Sequence, residues 1–418
     1  MTLIRNARLI DPASGRDELG DLKISNGLIE AVGGSLMASI DEQKIDLGGA
    51  VLAPALIDLR CHADPHSTGR AGLDATAQAA AAGGYGTLVI APDCGLSSPE
   101  SFAPIENAAL TTAVRLLPSG LMVDKDGEMG EIGLMLRAGA ALLSDGGAAI
   151  ADTRLARRAL SYAATFEAWS ALRAEDPHLA RNTCAHESDL SMRLGFAARP
   201  AAGERVAIDR AAALAELTGA RILMDRVSTA EGLAALKTAR AKGLEIAATA
   251  AITHLIFNEV DTASYDSRYR LEPPLRSESD RDALIDALRT VAVDALVSDH
   301  RACTGEAKAH PFPDAEPGAA TLEAMLPALC TLAADGRIEL IDGLRAVTSG
   351  PADLLGLAQG RLDVGAPADL VAFEPDAPNV YGRDGLVCEA PSAFENRRLA
   401  GKVLITFVNG AIINQPAG

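Results

Sequence analysis

Eight short apolar runs, several separated by helical patterns, fill the middle of this chain and constrain its fold more than any other feature. They are LIDLRCH from Leu56, GTLVIAPD from Gly86, AVRLLP from Ala113, AALLSD from Ala140, AWSALRAED from Ala168, RILMDRVS from Arg221, LEIAATAAI from Leu244 and DALVSDH from Asp294. Runs of this length read as buried strands. The stretch STAEGLAALKTARAKG shows the intervening helices most clearly: Ser228-x-x-Glu231 reads as a capping box, Leu233, Leu236 and Ala239 form a stripe, and Gly243 is a stop. ATAQAAAAGG from Ala75 is a second helix closed by glycine. Strand–helix alternation over about 250–300 residues predicts an α/β fold, a parallel (β/α)8 TIM-type barrel rather than an open sheet.

The two ends read differently. DLKISNGLIEAVG (21–33) and KVLITFVNGAIIN (402–414) are each a pair of alternating runs around Asn-Gly, a strong two-residue hairpin signal. ADLVAFEP (368–375) adds another strand. Neither block can bury a core alone, so the two are expected to join into a small β-sandwich domain built from both termini, spanning 1–52 and 355–418, with the barrel between them at 53–354. A polar insertion, 177–202, follows the fifth strand.

Composition narrows the function. A formal net charge of −18 and few aromatics argue against a nucleic-acid partner, which rewards clustered Lys and Arg and stacking rings. The absence of a long uncharged apolar run argues against a membrane span. Six scattered cysteines fit reduced thiols, and the first residues lack a signal-peptide layout, so a cytoplasmic location is expected.

In a barrel of this kind, chemistry sits where strands end and loops begin. Polar residues gather there: Arg60 with His62, Ser144-Asp145, Arg173 with Glu175-Asp176, Arg226, and Asp299-His300. Side chains two apart on a strand share a face, so Arg60 and His62 point together and Cys61 points away. The pattern predicts one shared pocket.

These motifs, in this order, resemble the amidohydrolase superfamily and specifically its dihydroorotase branch. APALIDLRCH is similar to the family's first strand, AAAAGGYGTLVIAPDC to its second βα unit, and AGAALLSDGG to the stretch that supplies a metal-bridging aspartate. RAEDPHL, RVSTAE, YDSRYRLEPPLR and SDHRACTGEAK follow as later barrel motifs, and GRLDVGAPADLVAF resembles the C-terminal sandwich strand. The resemblance implies two zinc ions in the barrel mouth that hydrolyse or form a cyclic amide bond, with a proton-shuttling aspartate at Asp299. Zinc would lower the pKa of bound water to about 7 and polarise the carbonyl.

Carried onto this chain, that site is mostly replaced. Arg60, Gly146, Arg173 and Arg226 stand at former ligand positions, leaving His62 and Asp299 as metal-ligand remnants. Arginine is always protonated and offers zinc no lone pair. The substrate side departs too. Ala63-Asp64-Pro65 replaces a carboxylate-gripping arginine, and Asp93, Glu272 and Cys303 replace two asparagines and a histidine; Asp145 and His300 complete the predicted pocket. The resemblance is strongest to degenerate homologues that accompany aspartate carbamoyltransferase without catalysing. That implies no cofactor, a carbamoyltransferase partner and a homo-oligomer, with the guanidinium groups pairing with Asp299, Asp145, Glu175 or Asp93. Three alternatives stay open at this point: an active zinc-dependent cyclic amidohydrolase, an anion site built from the three arginines, and a relocated single-zinc site at His62, His300 and Asp299. His66 and His178 are expected in solvated loops.

Overall fold

The computed structural model describes residues 1–38, 42–63, 70–124, 126–382 and 385–415. The chain begins with β1 (Thr2–Asp11), β2 (Arg16–Ser25) and β3 (Leu28–Gly33), then β4 (Gln43–Asp46) and β5 (Val51–Pro54). β1 pairs antiparallel with β2, and a break in register between Ile4 and Ala7 lets it pair parallel with β4 along one half and β5 along the other. Asn26 and Gly27 both adopt positive φ, as a two-residue hairpin turn between β2 and β3 requires.

The barrel follows. Its strands are β6 (Leu56–Cys61), β7 (Tyr85–Ile90), β8 (Arg115–Leu121), β9 (Leu142–Ser144) and β10 (Trp169–Arg173). The insertion contributes a small parallel pair, β11 (Ala185–His186) and β12 (Ala198–Arg199). The barrel then resumes with β13 (Arg221–Asp225), β14 (Ile246–Ala251) and β15 (Ala295–Val297). All eight anticipated barrel strands are present, hydrogen-bonded in sequence order from β6 to β15. The ends approach closure through a parallel bridge between Cys61 and His300, with the His62 N–H donating to the His300 carbonyl at 2.9 Å.

The chain returns to the terminal sheet as β16 (Leu370–Val380), β17 (Arg398–Val408) and β18 (Ala411–Asn414), where β16 pairs with β5. Strands from both ends therefore share one sheet, in the order β18-β17-β16-β5-β1-β2-β3. Ile4, Leu22 and Leu52 from one end pack with Leu370, Ala372 and Phe407 from the other. Neither end holds those contacts alone, which is why neither can form a core without its partner.

One helix boundary differs from the sequence expectation. The helix Ala230–Ala241 is capped by Thr229, whose side chain accepts the Gly232 N–H. Ser228 is drawn away instead, because its N–H and hydroxyl both bind the buried carboxylate of Glu204, which also receives Arg276 at 3.3 Å. A buried carboxylate needs several donors, and that need outweighs a local cap.

Inside the barrel, Leu59, Val89, Leu142, Ala171, Leu223, Ala247 and Val297 form one apolar cluster fed by seven strands. Two residues further along three of these strands stand Arg173, Asp225 and Asp299. A period of two keeps Arg173 and Asp225, the last residues of β10 and β13, on the inner face, and Asp299 follows just past β15, so the apolar plug passes directly into a charged mouth.

Candidate functional site

The mouth contains two linked charge clusters. In the inner one, Arg60 of β6 reaches three carboxylates: its Nε donates to Asp299 Oδ1 at 3.2 Å, and its terminal nitrogens lie 3.4 Å from Asp93 and 3.5 Å from Asp225. Arg226, just past β13, donates through Nε to Asp225 Oδ2 at 3.0 Å and through a terminal nitrogen to Asp299 Oδ1 at 2.9 Å and the Glu272 carbonyl at 2.8 Å. His62 Nε2 donates to Asp93 at 2.6 Å. Arg60, Arg226 and Asp225 are all buried.

The backbone serves this arrangement. Arg226 and Asp299 both hold positive φ, at 58° and 48°, a conformation L-residues rarely adopt. It turns Arg226 back over the mouth although Asp225, by strand period, is the residue facing inward. The ion pair between the two left-handed residues helps hold both in place. Gly146 also has positive φ, and a Cβ there would stand 2.7 Å from Leu121. A ligand side chain at that position would be strained.

The outer cluster joins the fifth strand to the insertion. Arg173 donates to Glu175 and Glu272, each at 3.2 Å, and to the Gly147 carbonyl at 2.6 Å. Arg199 of β12 binds Glu175 and, at 2.5 and 3.1 Å, both oxygens of Glu272. Arg270 stands 3.6 Å from Glu272. Arg199 thus places a side chain of the insertion across the mouth.

Electrostatics follow from this packing. Burial alone would raise Asp93, but the His62 hydrogen bond and the Arg60 charge prevail and hold it far below the usual carboxylate range. Burial likewise opposes ionisation of Glu272, yet Arg199 and Arg173 bring it down to about 2. In Asp225, Arg226 and Arg60 overcome burial in the same sense. Two groups go the other way: burial pushes both Asp58 and Asp145 up to about 7. Asp58 is held by Ser298 beneath the mouth. Asp145 accepts the Arg173 backbone N–H at 2.9 Å rather than a guanidinium, contrary to the expected pairing.

Of the predicted site residues, Arg60, His62, Asp93, Arg173, Arg226, Glu272 and Asp299 come together, with Asp145 and Gly146 at the margin. The side chains of His300 and Cys303 do not join them. His300 is buried, its Nδ1 accepts the Thr321 N–H at 3.1 Å, and burial lowers it to about 3. Cys303 is buried with Sγ against the carbonyls of Arg301, Glu316 and Pro317. His254 donates Nε2–H to the Pro273 and Pro274 carbonyls at 3.1 and 3.2 Å. His178 is exposed, and His66, Asp64 and Pro65 lie outside the described residues. Sequence reasoning missed Asp225, Arg199 and Arg270. For Asp225 a signal existed, because it stands two residues beyond the core residue Leu223. For Arg199, inside an irregular insertion, there was none.

The donor set does not fit a zinc pair, which needs three or four lone-pair donors per ion. Both His62 nitrogens face acceptors, Asp93 at 2.6 Å and the His300 carbonyl at 3.2 Å, so neither points towards an open ligand position. The carboxylates of Asp93, Asp225 and Asp299 face guanidinium nitrogens. Among the described residues, no three His, Cys, Asp or Glu side chains are arranged to hold an ion. The relocated site at His62, His300 and Asp299 fails on the same grounds, since each is engaged elsewhere. Among the described residues, no helix is long and apolar enough to cross a membrane.

Comparison with known proteins places these features in context. The sequence pattern of the amidohydrolase family matches residues 59–414. A dihydroorotase-like protein of Pseudomonas aeruginosa is 33% identical over 99% of this chain and 99% of its own length. A dihydroorotase of Solibacter usitatus is 32% identical over 98% of this chain and 97% of its own. Among solved structures, an L-hydantoinase from Arthrobacter aurescens superposes with a TM-score of 0.87 at 22% identity, covering 99% of this chain and 96% of that one, a likeness of fold alone.

Proposed function

The chain belongs to the amidohydrolase family, and from that premise we propose that it is a dihydroorotase-like protein whose mouth does not hydrolyse cyclic amides. On this reading it is a cytoplasmic, non-catalytic companion of aspartate carbamoyltransferase in pyrimidine biosynthesis, working as part of an oligomer. One observation carries the reading: Arg60 and Arg226 bridge Asp93, Asp225 and Asp299 across the mouth. Metal-assisted hydrolysis needs a Lewis acid to activate water and a free carboxylate to move its proton. A guanidinium supplies no Lewis acidity, and Asp299 Oδ1 accepts from both arginines. Arg173 and Arg199 fill the outer mouth, where a cyclic substrate would enter, and they cross-link Glu175 and Glu272 there.

The test is elemental analysis of protein purified without chelator, together with ring opening of dihydroorotate. The expected results are less than about 0.1 zinc per chain and no turnover above buffer. A second reading, an active zinc-dependent dihydroorotase, hydantoinase or allantoinase, draws support from full-length relatives that bear the name dihydroorotase. Stoichiometric zinc with turnover would establish it and remove the first. The companion role is tested separately, by light scattering of a mixture with the same organism's carbamoyltransferase. A joint species is expected, and independent migration would exclude it.

A further inference from the structure

We propose that the outer face of the helix Thr153–Ala164, with its neighbour Ile132–Arg137, docks an acidic surface of the partner protein. The proposal rests on the companion reading above and gives it a location. The helix has the sequence TRLARRALSYAA, with three arginines and no carboxylate. Its buried face is Ala156, Ala159, Leu160 and Ala163, so Arg154, Arg157, Arg158 and Tyr162 are left facing outward. Asp152 is spent on the helix cap, where it accepts the N–H of Arg154 and Leu155.

Two observations distinguish this face. The first is charge. The chain carries a formal −18, and many exposed arginines elsewhere sit against carboxylates, Arg8 with Asp17, Arg289 with Asp286, Arg301 with Glu316 and Arg337 with Asp282, though not Arg181, Arg193 and Arg398. Among the described residues, Arg137, Arg154, Arg157 and Arg158 make no side-chain ion pair or hydrogen bond. The second is aromatic and aliphatic surface beside those charges. Tyr162 and Phe166 pack edge to face with centroids 5.4 Å apart, and Gly133 of the neighbouring helix lies beneath both. Yet Tyr162, Phe166 and Leu134 remain 40%, 37% and 47% exposed. Arginine with aromatic anchors is the composition enriched in protein interfaces.

The charge also selects the occupant. A two-fold contact between copies of this chain would set the arginines against one another, since the same patch meets itself. Nucleic acid is disfavoured by the negative field of the whole molecule. An acidic surface bearing an apolar residue, repelled elsewhere on the chain, satisfies both the guanidinium groups and the ring pair.

The experiment mixes the full chain with the same organism's aspartate carbamoyltransferase and follows association by light scattering and titration. Arg154→Glu/Arg157→Glu/Arg158→Glu should weaken association at least about 10-fold, and raising salt should weaken the wild-type complex in the same sense. Leu134→Glu provides a second, independent variant, and unchanged thermal melting shows that both remain folded. If a complex forms and survives both variants, this docking surface is wrong while the companion role stands. If the unaltered proteins do not associate at all, the companion role falls and takes the surface with it.

Discussion

The inner and outer charge clusters of the mouth are built from the same groups but by different logic. In the inner cluster two guanidinium groups and His62 serve three aspartates, all presented at barrel strand ends or the turns just beyond them. In the outer cluster three guanidinium groups serve two glutamates, and one of the three, Arg199, comes from the insertion. The inner cluster has little redundancy: Asp225 and Asp299 depend on the same two arginines. The outer cluster shares each glutamate among several cations. The inner arrangement therefore acts as the structural cation of the barrel, and the outer one as a fastening between barrel and insertion.

That difference is breakable in a defined order. Arg226→Met should cost the most, roughly 3–5 kcal/mol, because it leaves the buried Asp225 and the partly buried Asp299 with Arg60 alone; urea unfolding measures it. A loss below about 1 kcal/mol would show that water or rearrangement replaces the guanidinium easily. Arg199→Met should cost less, about 1–3 kcal/mol, since Arg173 still reaches both glutamates, and should loosen the insertion more than the barrel. Hydrogen exchange at Ala185 and Glu187, whose N–H groups bind the second strand of the insertion, compared with β13 would reveal that asymmetry.

The smallest effect concerns pH. Asp145 is raised to about 7 by burial, so between its unfolded pKa and 7 the folded chain holds a proton that the unfolded chain has lost. Stability attributable to this group therefore falls as pH rises through that window. Asp145→Asn removes the slope and should gain on the original protein by about 1 kcal/mol at pH 7 relative to pH 6. Glu272 slopes oppositely: held at about 2, it contributes stability that disappears only as pH falls from its unfolded value towards 2. Parallel pH profiles for Asp145→Asn and Glu272→Gln would refute the assignment of opposite environments.

Much of this was legible in the sequence because it is local. Each barrel strand is a short apolar run, and the hairpins at Asn26-Gly27 and Asn409-Gly410 announce themselves through residues that tolerate positive φ. The strand-end positions of Arg60, Arg173 and Arg226 were also visible, since they need only the strand pattern. The partners of those arginines were less so. Asp145 was expected on a guanidinium and instead takes a backbone N–H, and Ser228 was expected to cap a helix and instead serves Glu204.

What the sequence determined on its own was the set of elements and the presence of three arginines at strand ends, because strand period, turn chemistry and the chemistry of arginine are properties of single residues and their near neighbours. Only the tertiary structure decided which carboxylate meets which guanidinium. Arg60 and Asp299 are 239 residues apart, and Arg199 and Glu272 are 73 apart. Barrel closure and the path of the insertion bring them together, and the low dielectric of the mouth then makes their pairing obligatory.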